Sequence, residues 1–142
     1  MKVSEVMTRE VQTVRPDQTV REAAGFMLSA DAGSIPVTEG DRLIGMITDR
    51  DIAVRGVAEG YGPDTPVRDL MSNDMVTARI DDEVDDVAVR MSEAQIRRLP
   101  VVDEQNQLCG IVSLGDLTQK AEDGTAEMAL EGVTEPGGQH QQ

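Results

Sequence analysis

The 142-residue chain has one histidine, one cysteine and very few aromatic residues. His140 and Cys109 cannot complete the tetrahedral ligand set of a zinc ion, so we expect no structural metal. The same scarcity disfavours Ser-His-Asp and Cys-His catalysis, and a single cysteine permits no intramolecular disulfide. The aromatic residues are Phe26 and Tyr61, too few to form the stacking platforms that bind single-stranded nucleic acids.

Charge and hydropathy exclude further classes of partner. The formal net charge is −14 at pH 7, whereas nucleic-acid binding needs a basic surface that displaces counterions. We therefore predict neither a nucleic-acid partner nor an anionic membrane partner. No apolar run approaches the roughly 18 residues needed to cross a bilayer, and the first residues lack the apolar core of a secretory signal. We expect a cytoplasmic protein.

The chain contains an internal repeat. When residues 3–37 are aligned with residues 67–101, eleven of the 35 positions are identical, against about two expected by chance. Beyond the two Pro-Val pairs the offset grows from 64 to 65, because a polar turn in the second copy holds one more residue. We predict four segments: repeat 1 at 1–56, a linker at 57–66, repeat 2 at 67–122 and a C-terminal tail at 123–142.

The first half of each copy predicts a strand and then a helix. In the first copy a short strand near residues 11–14 precedes the capping-box pattern Thr19-Val-Arg-Glu22. Apolar residues then recur at helical spacing, and the second copy repeats them. Gly33 is predicted to end the first helix in the left-handed conformation.

The second half of each copy predicts a hairpin and another helix. In the first copy the apolar runs 35–37 and 43–47 flank a Glu-Gly-Asp turn, and a helix is predicted from Thr48 to about Val54. Each copy thus has the order β-α-β-β-α after a short helical lead. This order predicts a mixed α/β (α+β) fold built from two similar units.

The pattern resembles tandem CBS repeats, most closely those of small stand-alone bacterial CBS-pair proteins. The resemblance is carried by Gly45-Met-Ile-Thr-Asp-Arg-Asp-Ile and Gly110-Ile-Val-Ser-Leu-Gly-Asp-Leu, each of which follows an apolar Pro-Val strand. It covers roughly residues 1–120. It implies a pseudo-twofold pair of repeats with two clefts and a homodimer formed through helices. Its implied effectors are adenine nucleotides (AMP, ADP or ATP) or related adenosyl ligands.

The resemblance assigns ligand contacts to Thr48 and Asp51, and to Ser113 and Asp116 in the second copy. A carboxylate at this place can accept hydrogen bonds from both vicinal hydroxyls of a ribose. The hydroxyl three residues earlier, together with helix N-terminal amides, suits a phosphate. The same spacing is also typical of a helix N-cap with an acid in the first turn. The sequence leaves both interpretations, ligand contact and helix cap, open, and one pair of residues can have both roles.

Three arginines are further candidates for contacts with a phosphate. Arg97 and Arg98 precede the second Pro-Val strand, where basic residues of the family often reach into the clefts. The matching residues of the first copy are Gly33 and Ser34. An arginine fork suits phosphate, but a solvated or acid-paired couple on an acidic surface explains these residues equally well. Arg50, in the first turn of a helix, can equally face water.

The sequence therefore predicts a regulatory module and no enzyme. The module would sense an adenine nucleotide, as a signal of energy or metabolite level, and act through an unidentified protein effector. It requires no cofactor. The alternative is a ligand-free structural or interaction protein in which the Ser/Thr-x-x-Asp elements are only helix caps.

Overall fold

The structure is a computed structural model that describes residues 1–120, with side chains described up to Leu117. The predicted tail, the end of the second repeat and His140 lie outside the described residues. The chain divides into two compact units. The first-repeat unit is Gln12–Met75, and the second-repeat unit combines Met1–Val11 with the chain from Val76 onward.

The first-repeat unit has one α-helix, a two-stranded sheet and a π-helix. The α-helix is α1 (Val20–Ala30), the antiparallel strands are β1 (Ser34–Glu39) and β2 (Arg42–Thr48), and the π-helix is Asp51–Gly56. Shorter 3-10 turns lie at Val57–Glu59 and Val67–Asp69. The strands are joined by the predicted turn, in which Gly40 has a φ of 63°, a conformation that glycine adopts without steric cost.

Helix α1 begins as the sequence predicts. The Thr19 hydroxyl oxygen accepts from the Glu22 N–H at 3.2 Å, and the Glu22 carboxylate accepts from the Thr19 N–H at 3.2 Å. This reciprocal pair satisfies two backbone donors at the start of the helix. The buried face of α1 carries Val20, Ala23 and Met27, so the predicted helical spacing of apolar residues is confirmed.

The end of α1 corrects the prediction for Gly33. The left-handed residue is Asp31, with a φ of 52°, and its counterpart at the end of helix α2 (Val84–Ala94) is Gln95, with a φ of 54°. The Ala32 N–H donates to the Met27 carbonyl at 3.0 Å and closes the helix. Aspartate tolerates this conformation better than most residues because its short polar side chain bonds locally. No glycine therefore marks the helix end.

Within the described residues, the second-repeat unit contains α2, a three-stranded sheet and a second α-helix. The sheet has the order β3 (Ala78–Arg79), β4 (Arg98–Val102) and β5 (Leu108–Ser113). Strand β3 is parallel to β4, and β4 is antiparallel to β5. Helix α3 (Leu114–Lys120) follows β5 directly. The unit confirms the predicted order β-α-β-β-α and the α+β class.

The prediction of a strand near residues 11–14 is wrong in the length of the strand. In the first-repeat unit it shrinks to a single parallel bridge between Val14 and Val37. The Val14 N–H donates to the Pro36 carbonyl, and the Val14 carbonyl accepts from the Thr38 N–H. Pro16 follows within two residues, and a proline lacks the N–H donor that a longer ladder needs.

The helical leads pack in the units opposite to their own repeats. Val3, Val6 and Met7 belong to the buried core of the second-repeat unit, and Val67 and Leu70 belong to that of the first-repeat unit. The compact units therefore differ from the repeats counted along the sequence. Their cores are otherwise built from aliphatic and methionine side chains on the helix and strand faces.

Each exchanged lead is hydrogen-bonded to the last strand of its unit. Thr8 and Ile111 exchange two backbone hydrogen bonds, of 2.8 and 2.9 Å, and Ser72 and Met46 do the same at 2.9 and 2.8 Å. Beside these bridges lie Gly110 and Gly45. A Cβ on Gly110 would lie 2.6 Å from the Thr8 carbonyl oxygen, so only glycine lets the lead approach this closely.

The second helix of the first repeat is wound differently from the prediction of an ordinary helix at Thr48–Val54. After two α-helical residues, 49–50, it continues as the π-helix Asp51–Gly56. The Val57 N–H reaches back five residues to the Ile52 carbonyl as well as to Ala53. π-Helical turns are rare and often occur at functional sites. The matching helix of the second repeat, α3, is α-helical.

Candidate functional site

Thr48 and Asp51 form a reciprocal capping box where β2 enters the following helix. The Asp51 N–H donates to the Thr48 hydroxyl oxygen at 2.9 Å, and the Thr48 N–H donates to Asp51 Oδ2 at 3.0 Å. Both residues are half-buried. The cap therefore fixes the carboxylate against the end of the strand.

Ser113 and Asp116 repeat this geometry where β5 enters α3. The Asp116 N–H donates to the Ser113 hydroxyl oxygen at 3.1 Å, and the Ser113 N–H donates to Asp116 Oδ2 at 3.0 Å. These residues are also half-buried. The structure thus brings each predicted hydroxyl together with its predicted acid, and the same oxygen of each acid serves the cap.

The capping boxes leave hydrogen-bonding capacity for a ligand. An ionised carboxylate has about four acceptor positions, and each box uses one of them, on Oδ2. A hydroxyl that accepts one hydrogen bond still carries its own O–H donor. Each pair can therefore cap its helix and, at the same time, accept from a diol through Oδ1 and donate to an anion.

Arg55 is a further candidate residue that the sequence did not lead us to name. Its Nη1 lies 3.8 Å from Asp51 Oδ1, the oxygen outside the cap, and donates to the Met71 carbonyl at 3.4 Å. The spacing from Asp51 is four residues, which is a recognisable signal for an ion pair on a helix. Because the Arg55 side chain is half exposed, screening by solvent keeps this pair weak.

Arg97 and Arg98 lie beside the Ser113 and Asp116 box in the second-repeat unit. Arg98 is paired with Ser113 across β4 and β5. The Arg97 carbonyl accepts from the Leu114 N–H at 2.8 Å, which ties it to the first residue of α3. Both arginine residues are exposed.

The first-repeat unit has the same backbone pattern without the two arginines. Ser34 pairs with Thr48, and the Gly33 carbonyl accepts from the Asp49 N–H at 2.9 Å. Arg50 is exposed, and its N–H donates to the Asp49 carboxylate at 2.8 Å. The basic side chains nearest to this box along the chain are therefore those of Arg50 and Arg55.

The described residues contain no cluster of side chains that could hold a metal ion. No group of three or more histidine, cysteine, aspartate or glutamate side chains in this part of the chain is arranged to hold a metal ion. Cys109 is half-buried, and burial, helped by the nearby Asp103 carboxylate, raises the pKa of its thiol. No helix among residues 1–120 is long and apolar enough to span a membrane.

Comparison with solved structures finds the same fold in proteins with different bound species. Hypoxic Response Protein I, solved with two coordinated zinc ions, is 31% identical, with a TM-score of 0.78 over 86% of this chain and 100% of that one. CBSX2 in complex with AMP is 26% identical, with a TM-score of 0.74 over 84% of this chain and 95% of that one.

Comparison with sequence families and curated proteins gives the family. The CBS domain model matches the chain twice, at residues 3–56 and 67–123. The CBS domain-containing protein YhcV of Bacillus subtilis is 49% identical over 115 residues, which span 81% of each chain. Two matches to one model agree with the internal repeat and with the two capping boxes. The chain belongs to the CBS domain family and carries two CBS domains in tandem.

Proposed function

We propose that this protein is a cytoplasmic regulatory module that binds an adenine nucleotide (AMP, ADP or ATP) or a related adenosyl ligand, and that it catalyses no reaction. The observation that carries the proposal is the pair of half-buried carboxylates, Asp51 and Asp116, each held by a cap through one oxygen only. A relative with the same fold holds AMP, which supports adenine as the base.

Each box has a defined role in this proposal. The carboxylates of Asp51 and Asp116 accept hydrogen bonds from the ribose hydroxyls, and such charge-assisted bonds are roughly twice as strong as neutral ones. The hydroxyls of Thr48 and Ser113 donate to a phosphate, and the backbone amides at the helix starts favour the same anion.

The arginines extend this role to the rest of the phosphate. Arg97 and Arg98 supply forked donors beside the second box, where Arg98 is paired with Ser113. Arg50 supplies a cation in the first turn after the first box.

The ligand regulates by favouring one conformation of the protein over another. A ligand shifts a conformational equilibrium only by its difference in affinity for the two conformations, so the size of the conformational response is limited by that difference. The output then passes to a separate protein partner.

A ligand-free structural or interaction protein is the second candidate function. It is favoured by the completeness of the capping boxes, since both side chains of each box are already hydrogen-bonded without a ligand. In this alternative the aspartates only stabilise helix starts, by about 1 kcal/mol each.

Thermal unfolding with AMP distinguishes the two functions. Saturation at 100 times the dissociation constant adds about 2.7 kcal/mol of stability, which for a chain of this size raises the melting temperature by about 8 °C. Inorganic phosphate at the same concentration is the control for a general anion effect. An unchanged melting temperature with AMP, ADP and ATP, or an equal rise with phosphate alone, would favour the ligand-free function.

We also propose that the protein is a homodimer. Leu28 on α1 is 85% exposed and Val89 on α2 is 37% exposed, so a partner that covers these helix positions would remove apolar side chains from water. Light scattering is expected to give twice the monomer mass for the wild type. Leu28→Glu is expected to give the monomer mass, whereas Ser29→Glu, at the neighbouring exposed position, leaves the dimer intact. A monomeric wild type at high micromolar concentration would contradict the proposal.

A further inference from the structure

An open pocket of about 320 Å³ lies in the first-repeat unit, between α1, the π-helix and the segment around Tyr61. Its volume is within the range of small-molecule sites. The wall is almost entirely apolar, with side chains of Val20, Ala24, Ile52 and Leu70. Neither Thr48 nor Asp51 lines it, so the pocket is separate from the proposed nucleotide site.

The backbone of the predicted linker fixes one side of this pocket. The carbonyls of Pro63 and Thr65 accept from the N–H groups of Arg21 and Val20, at 3.1 and 2.9 Å. These bonds satisfy two donors at the start of α1, which an α-helix cannot satisfy internally. The linker therefore holds Tyr61 beside the first turn of α1, as part of the pocket wall.

Arg21 is the only charged residue among those that line the pocket. Within the described part of the chain its guanidinium takes part in no ion pair. Among the lining residues, Tyr61 alone has a hydroxyl group, and it is 51% exposed. In a chain with a net charge of −14, a single cation at the rim of an apolar wall selects an anionic group joined to an apolar body.

We propose that this pocket binds a small monocarboxylate with an unbranched apolar chain. The chain lies against Val20, Ala24, Ile52 and Leu70, where it is removed from water. The carboxylate pairs with the Arg21 guanidinium, whose forked donors match its two oxygens. One cation at the rim balances one negative charge, and the apolar wall offers no partner for a second.

Tyrosine fluorescence tests the proposal directly. Tyr61 is the only tyrosine, and the chain has no tryptophan, so the emission of the protein reports on the pocket itself. Titration with octanoate below its micellar range is expected to give a saturable change. Hexanoate, with two fewer methylene groups, is expected to bind about tenfold more weakly. Arg21→Gln is expected to weaken octanoate binding about three- to tenfold, as for a partly exposed ion pair.

Two further variants complete the test. Ala24→Leu extends a longer side chain into the pocket while keeping a good helix former, and it is expected to abolish the octanoate response without lowering the melting temperature. Arg42→Gln removes an exposed cation outside the pocket and is expected to titrate as the wild type does.

Three results would overturn the proposal. The first is an emission unaffected by octanoate up to its solubility limit. The second is equal octanoate affinity in the wild type, Arg21→Gln and Ala24→Leu. The third is a wild-type emission that depends on protein concentration and not on octanoate, which would make the pocket part of the homodimer interface proposed above and not a free small-molecule site. None of these results depends on AMP, so they are independent of the nucleotide proposal.

Discussion

Replacing Asp51 with alanine is expected to weaken AMP binding at the first box by a hundredfold or more. The variant removes two hydrogen bonds from the ribose to a carboxylate, which together contribute about 3 kcal/mol or more. The fold is expected to survive, because the lost cap bond to the Thr48 N–H costs only about 1 kcal/mol. Asp116→Ala is expected to have the same effect at the second box, where Ser113 supplies the cap.

Two matched variants separate the ribose contact from the cap. Asp51→Asn keeps an oxygen that can accept from the Thr48 N–H, so we expect near wild-type stability but a loss of most of the AMP affinity. Asp49→Asn changes an exposed acid whose carboxylate accepts from the Arg50 N–H, and it is expected to bind AMP as the wild type does. If Asp51→Ala lowers stability slightly and titrates with AMP like the wild type, Asp51 is only a cap.

The second large effect is expected for stability, at Gly110. In Gly110→Ala the new Cβ would lie 2.6 Å from the Thr8 carbonyl oxygen and 2.8 Å from Met7 Sδ. That oxygen accepts from the Ile111 N–H at 2.9 Å, so moving it away weakens a backbone hydrogen bond. Overpacking and the weakened bond together predict a loss of about 3 kcal/mol in the free energy of unfolding.

Urea unfolding measures this loss against two comparison variants. In Gly45→Ala the new Cβ would lie 2.8 Å from the Ser72 carbonyl oxygen. This variant is expected to be destabilised by a similar or slightly smaller amount. In Gly25→Ala, inside α1, the new Cβ has no atom within 4 Å apart from its chain neighbours and its own helix backbone, and the variant is expected to gain up to about 1 kcal/mol from helix propensity. A Gly110→Ala variant with the wild-type midpoint would show that the lead does not pack closely against β5.

The elements themselves could be predicted from the sequence because their signals are local. The Thr19 and Glu22 capping box and the hairpin at Gly40 each depend on residues within a few positions of one another. The two Ser/Thr-x-x-Asp boxes are local in the same way, since each joins residues three apart. The sequence therefore identified the candidate site residues in pairs and predicted the partner within each pair.

The exchange of the leads could not be predicted, because it is a property of distant residues. The repeat shows that Val3 and Val67 are equivalent, but equivalence does not tell which core each one enters. The exchange depends on contacts such as those of Thr8 with Ile111, which are more than 100 residues apart. The equivalence of Gly45 and Gly110 in the two repeats was visible, but the reason for a glycine there, the close carbonyl of the lead, was not.

The π-helical winding after Thr48 could not be predicted from the sequence either. An α-helix and a π-helix use the same helix-forming residues, and they differ by which carbonyl accepts each N–H. Here the packing of the buried Gly56 against Leu70 accompanies the wider turn. Arg55 was missed although its four-residue spacing from Asp51 was visible in the sequence, and the structure adds that its Nη1 lies 3.8 Å from Asp51 Oδ1.

Titration calorimetry of AMP into the wild type and into the double variant Asp51→Asn, Asp116→Asn tests the central claim most directly. The wild type is expected to give a saturable heat. The double variant keeps an oxygen acceptor in each cap and is expected to give none, while its melting temperature without ligand stays near that of the wild type. An identical titration of the two proteins would contradict the ribose assignment, and no heat from the wild type with AMP, ADP or ATP would contradict nucleotide binding altogether.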